Sequence, residues 1–113
     1  MYRRNLKHSR VKNLFKFASL KMDSVMTVES ALEFDTCFHF EYSPDVISFE
    51  AQPEGFYYGF LGKELPYTPD FLVVDKVHGA RFIEVKPVAK AANTEFRAKF
   101  ICRQERALHW VFR

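Results

Sequence analysis

Tyr67-Thr68-Pro69-Asp70-Phe71-Leu72-Val73-Val74-Asp75, a break at Lys76–Gly79, and then Arg81-Phe82-Ile83-Glu84-Val85-Lys86-Pro87 set the architecture of this chain. Both halves are rich in Val, Ile and Phe, and Pro87 closes the second. That pattern reads as two strands joined by a turn. Strand side chains alternate faces, so Glu84 and Lys86 point one way and Val85 points into the opposite layer. Antiparallel pairing across the turn carries Asp70, at or near the opening of the first strand, to the level of Glu84–Lys86. Two carboxylates and one ammonium are then expected together at one end of a sheet.

Upstream, Ile47, Phe49 and Ala51 alternate with Val46, Ser48 and Glu50, which is a strand pattern closed by Pro53 and Gly55. Phe56–Leu61 is aromatic and strand-like. Gly62-Lys63 reads as a turn, with Tyr67–Asp75 as the returning strand. Thr27–Tyr42 lacks Gly and Pro, and Ala31, Phe34, Phe38 and Tyr42 recur at helical spacing. This predicts a helix ended by Ser43-Pro44-Asp45. Further upstream, Val11, Leu14, Phe15 and Ala18 share a stripe, as in a short helix or an arm that orders on contact. Downstream, Lys90–Leu108 regains helical spacing through Phe96, Phe100 and Ala107, and His109–Arg113 begins a last strand. A mostly antiparallel meander followed by a crossover to a final strand is an α/β arrangement in layers.

Composition agrees with one folded domain. The chain has 113 residues, 48% of them hydrophobic and 17% aromatic, with 13 Phe and 5 Tyr, which is enough apolar bulk for a real core. Cys37 and Cys102 form no Cys-x-x-Cys pair and no zinc-ligand spacing, so they read as two reduced, packed thiols. No apolar run is long enough to span a bilayer, and none follows the basic N-terminus as a signal peptide requires. A cytoplasmic protein is the expectation.

The net charge of +3 is unevenly laid out. Residues 1–21 carry Arg3, Arg4, Lys7, Arg10, Lys12, Lys16 and Lys21 and no acid, whereas residues 22–62 carry acids and neither Lys nor Arg. A basic arm over residues 1–22 is therefore expected to precede a core over residues 23–113. Such arms track phosphates. Charge alone equally describes a solvated tail.

The chemistry implied by Asp70, Glu84 and Lys86 is specific. Carboxylate oxygens, helped by a backbone carbonyl such as that of Val85, make a hard site suited to Mg²⁺, with Mn²⁺ as a substitute. Such a metal polarises a phosphodiester and lowers the pKa of a bound water. Lys86 supplies a positive charge beside the attacking water. Glu33, on the preceding helix, is placed to complete the metal site, and Gln52 is a further polar candidate beside it. Lys90 and Arg97, on or before the second helix, could hold a phosphate backbone along with Arg3, Arg4, Lys7, Arg10 and Lys12. Each residue also has a plain structural reading. Asp70 could start a turn, and Glu84 and Lys86 could be a solvent-facing pair. Glu33 could close a capping box with Ser30. Gln52 could merely end its strand, and the basic helix could be a solvated face. The four histidines have no partner at ligand spacing.

Four segments together carry a resemblance. They are Glu29-Ser30-Ala31-Leu32-Glu33, Asp45–Pro53, Tyr67-Thr68-Pro69-Asp70-Phe71 and Ile83-Glu84-Val85-Lys86-Pro87. In this order and spacing they resemble the N-terminal nuclease domain of the TnsA-type transposon endonucleases, within the PD-(D/E)xK nuclease superfamily. The resemblance runs from about residue 10 to residue 113, nearly the whole chain. It implies a restriction-endonuclease-like core with a mixed central sheet flanked by helices. It also implies Mg²⁺-dependent cleavage of double-stranded DNA at transposon ends, beside a separate transposase subunit and an ATP-dependent regulator. Glu33, Asp70, Glu84 and Lys86 match the family's active-site residues, and Gln52 matches a recurring Gln-Pro element. A homodimer is one way to provide two active sites for a double-strand break. Longer members carry a second, winged-helix-type domain, whereas this sequence stops at Arg113. A phage, repair or restriction-like nuclease acting alone, and a non-catalytic DNA- or partner-binding module on the same fold, are the alternative expectations.

Overall fold

The computed structural model describes residues 14–87, 92–106 and 110–112. Its elements run β1 (Phe15–Ser19), β2 (Ser24–Val28), α1 (Ala31–Tyr42), β3 (Val46–Ala51), β4 (Phe56–Phe60), β5 (Lys63–Tyr67), β6 (Phe71–Asp75), β7 (Gly79–Glu84), α2 (Thr94–Arg106) and β8 (Trp110–Phe112). The central sheet has the order β3-β6-β7-β8. Its first three strands are antiparallel, and β8 joins β7 in parallel after the α2 crossover. The expected mixed sheet with flanking helices is therefore present. No helix among the described residues is long and apolar enough to cross a membrane.

Two apolar clusters cover the two faces of this sheet. Neighbouring residues of a strand point to opposite sides, so Ile83 and Phe82 belong to different clusters. On one face Phe49, Phe71, Val73 and Ile83 pack with Cys37 of α1 and with Phe17, Met26 and Val28 of the β1–β2 hairpin. Rings meet edge to face there, Phe40 with Phe71 at 5.1 Å and Phe17 with Phe38 at 4.9 Å. On the other face Phe56, Tyr58 and Phe100 pack with Phe82, which seats α2 and the β4–β5 hairpin.

The structure corrects four expectations. First, the helical stripe through Leu14, Phe15 and Ala18 is replaced by a strand, β1, paired with β2. The boundary expected at residue 22 falls inside that hairpin, because Phe17, at 4% exposure, is already core. A five-residue amphipathic strand and one helical turn place apolar residues too similarly to be told apart. Second, α1 begins at Ala31 rather than Thr27. Ser30 is its N-cap, accepting from the Glu33 N–H at 3.1 Å. The buried stripe of α1 is Glu33 and Cys37, while Tyr42 is 78% exposed. Third, the strand returning from β4 is Lys63–Tyr67, and the two form a hairpin of their own. Leu61 and Gly62 both have positive φ, 51° and 75°, as a two-residue type I′ turn requires. Pro66 is tolerated because, among the described residues, β5 pairs with β4 alone. β6 pairs with β3 instead, so the meander is interrupted by the ribbon. Fourth, a register shift between Val46 and Ser48 breaks the alternation of β3 and leaves Ile47 55% exposed.

Lys21 fastens the β1–β2 hairpin to the rest. Its ammonium donates to the carbonyls of Phe40 at 2.7 Å, Ser43 at 2.9 Å and Val46 at 2.8 Å. A cation there satisfies carbonyls at the end of α1 and faces the negative end of its dipole.

Candidate active site

Strand register assembles the site. Phe71 lies opposite both Ala51 of β3 and Ile83 of β7. The residues just beyond these three positions, Gln52, Asp70 and Glu84, therefore gather at one end of the sheet. Three contacts fix them. The main-chain N–H of Val85 donates to Asp70 Oδ2 at 2.8 Å. The main-chain N–H of Gln52 donates to the Asp70 carbonyl at 2.9 Å. The Gln52 amide donates through Nε2 to Glu33 Oε1 at 2.9 Å.

The acids are well buried, with Glu33 at 7%, Asp70 at 8% and Glu84 at 2% exposure. Glu33 lies in the first turn of α1. Its other oxygen, Oε2, accepts from the Ser30 hydroxyl at 2.9 Å. Ser30 thus caps α1 by accepting from the Glu33 N–H, while the Glu33 carboxylate takes the Ser30 hydroxyl and also reaches the strand end through Gln52. Lys86 Nζ lies 3.9 Å from Glu84 Oε1 and 5.5 Å from the Phe96 ring centre. A groove between α1 and β7, lined by Leu32, Thr36, His39, Val85 and Lys86, opens beside it.

Arg103 lies on α2, the helix whose basic residues the sequence offers as phosphate contacts or as a solvated face. Its guanidinium instead packs 3.9 Å from the Tyr67 ring centre and 5.1 Å from that of Tyr58, donates to the Tyr58 hydroxyl at 3.3 Å, and lies 4.0 Å from Glu84 Oε1. No local pattern announces this, because the partners come from β4, β5 and β7. Arg97 is exposed on α2, whereas Arg3, Arg4, Lys7, Arg10, Lys12 and Lys90 lie outside the described residues.

Among the described residues, no three His, Cys, Asp or Glu side chains converge closely enough to form a ready metal cluster. Asp70 and Glu84 flank the Val85 backbone, and Glu33 is joined to them through Gln52. The donor chemistry still fits a hard divalent cation, because the groups gathered here are carboxylate, amide and main-chain oxygens.

Against known families, the model described as TnsA-like endonuclease N terminal matches residues 43–112, more than half of the chain. The chain belongs to this TnsA-like endonuclease family. Its sheet and helices are those of a restriction-endonuclease-like fold. Gln52, Asp70, Glu84, Val85 and Lys86 lie inside the TnsA-like match, and Glu33 precedes it. Comparison with curated proteins finds no match.

Proposed function

We propose that this TnsA-like chain is a Mg²⁺-dependent endodeoxyribonuclease. It hydrolyses phosphodiester bonds of double-stranded DNA at transposon ends during Tn7-like cut-and-paste transposition, with a transposase subunit and an ATP-dependent regulator as partners. One observation carries the reading most directly. The 2.8 Å hydrogen bond from Val85 N–H to Asp70 Oδ2 holds the opening of β6 against the segment Glu84-Val85-Lys86.

In this reading Asp70, Glu84 and the Val85 carbonyl hold the ion, with Glu33 supporting from α1. When bound, Mg²⁺ supplies Lewis-acid polarisation of the phosphodiester and an acidified water. The chain's own residues do the rest. Val85 N–H orients the Asp70 carboxylate, and Phe96 and Glu84 position the Lys86 ammonium where it can stabilise developing negative charge on the phosphate. Basic residues 3–12, Lys90 and Arg97 contact the DNA backbone, which gives affinity without sequence choice.

Incubating the chain with supercoiled plasmid and Mg²⁺ or Mn²⁺ tests this. Nicking or linearisation that disappears with EDTA and in Asp70→Ala supports the reading. Cutting that persists in Asp70→Ala refutes the site. A non-catalytic module on the same fold is the second reading, favoured by the absence of a ready three-acid cluster among the described residues. It predicts neither cleavage nor stabilisation by Mn²⁺.

A further inference from the structure

Gln52 has an unusual combination of properties. Its φ is +52°, in the left-handed region that side chains with a Cβ rarely adopt. It also precedes Pro53, and a residue before proline normally takes an extended φ. Asp23 and Leu61 share the sign of φ, but each sits in a hairpin turn, whereas Gln52 sits where β3 leaves the central sheet. The residue is only 8% exposed. Its amide must present Nε2 to Glu33, since a carboxylate oxygen accepts. The carbonyl Oε1 therefore faces elsewhere, and it is buried with no hydrogen-bond partner among the described residues. A bend with a purely structural role would be better served by glycine, and a purely structural amide would be satisfied at both ends.

We propose that Gln52 is a positioning residue of the site. Its main-chain N–H binds it to Asp70, its amide N–H aims the Glu33 carboxylate, and its Oε1 accepts a hydrogen bond from a water held in the site. The strained backbone is what lets one residue reach both acids, because the same bend that presents its N–H to the Asp70 carbonyl turns its side chain toward α1. The inference rests on the metal-dependent nuclease reading and adds a specific role within it.

The test is calorimetric titration of the 113-residue chain with Mn²⁺ alone, comparing wild type, Gln52→Gly and Gln52→Asn. Both variants tolerate a positive φ, so the fold is preserved while the amide is removed or shortened. Loss of a group that orients metal ligands weakens affinity by about 10–100-fold, and that is the expected result for Gln52→Gly. In plasmid cleavage the same variant should lose kcat with KM for DNA unchanged. Adding Gln52→Gly to Glu33→Gln should weaken Mn²⁺ binding no further than Glu33→Gln alone, because the two residues act as one unit. A folded Gln52→Gly that binds Mn²⁺ as wild type does overturns the inference and leaves the nuclease reading standing. A wild-type chain that binds no Mn²⁺ overturns both.

Discussion

The guanidinium carbon of Arg103 lies 3.9 Å from the centre of the Tyr67 ring, while an amino group of the same side chain lies 4.0 Å from Glu84. One α2 residue thus joins the β4–β5 ribbon to a candidate metal-binding acid. Replacing it by Met keeps the apolar stem but removes both the cation–π contact and a charge facing a buried carboxylate. The expected loss is about 2–4 kcal/mol. Urea denaturation measures it, and a variant within 0.5 kcal/mol of wild type, the range typical of plain surface changes, would show that the packing contributes little.

Asp70→Asn separates structure from chemistry. The asparagine Oδ1 can still accept from Val85 N–H, so stability should stay within about 1 kcal/mol of wild type. The charge is lost, and plasmid cleavage should fall by at least about a hundredfold. Lys86→Ala should lose cleavage to a similar degree and little stability, since the side chain is 35% exposed. Unfolding curves and cleavage rates measured on the same preparations check both.

Acid should destabilise the fold at two places away from the site. The Ser19 hydroxyl, at 2.6 Å, is the main cause that holds the Glu41 carboxyl below its ordinary value of 4.5. The His78 backbone N–H, joined by Val77 N–H and Arg81, does the same for Asp75 below 3.8. A carboxyl depressed in the folded state contributes fully above its ordinary value, and the contribution is lost as pH falls through the folded value. Urea midpoints should therefore hold near neutrality and drop below about pH 4.5. Ser19→Ala should flatten that drop, and an unchanged slope would remove Glu41 from the explanation.

Cys37 should be chemically silent. It is fully buried, and burial, followed by the nearby Glu33 charge, pushes its thiol up to about 12. Little thiolate then exists at neutral pH, and no reagent reaches it without local opening. A disulfide-exchange reagent should label the half-buried Cys102 first. In Cys102→Ser, labelling should wait for denaturant. Rapid labelling of that variant would mean that α1 opens readily.

Much of the candidate site's geometry was legible because it depends on short-range arithmetic. Once β6 and β7 are read as a hairpin, the level of Asp70 against Glu84 follows from counting back from the turn, and the register Phe71 opposite Ile83 agrees with it. β3 was legible for the same reason, its boundaries marked by Pro44 and Pro53. The rest turns on contacts between distant segments. Lys63, Glu64 and Pro66 are poor strand residues by composition, so β5 emerges only because β4 lies beside it. Arg103 looks like any solvated helix cation until Tyr58 and Tyr67 enclose it. Gln52 could be noticed beside Pro53, but its positive φ has no signature in residue type.

The β4–β5 ribbon also bears on the order of folding. β3 and β6 are neighbours in the sheet although the whole ribbon lies between them in the chain. A hairpin closed by a two-residue turn forms locally, within about 1–10 μs, and draws its two ends together. The later search that brings Ala51 to Phe71 then spans a much shorter effective tether, which lowers its entropy cost. Weakening the turn at Leu61-Gly62 would therefore slow the docking of β3 and lengthen the time its hydrogen-bonding edge is open to other chains. The ribbon therefore shortens the tether between β3 and β6 in addition to walling Arg103.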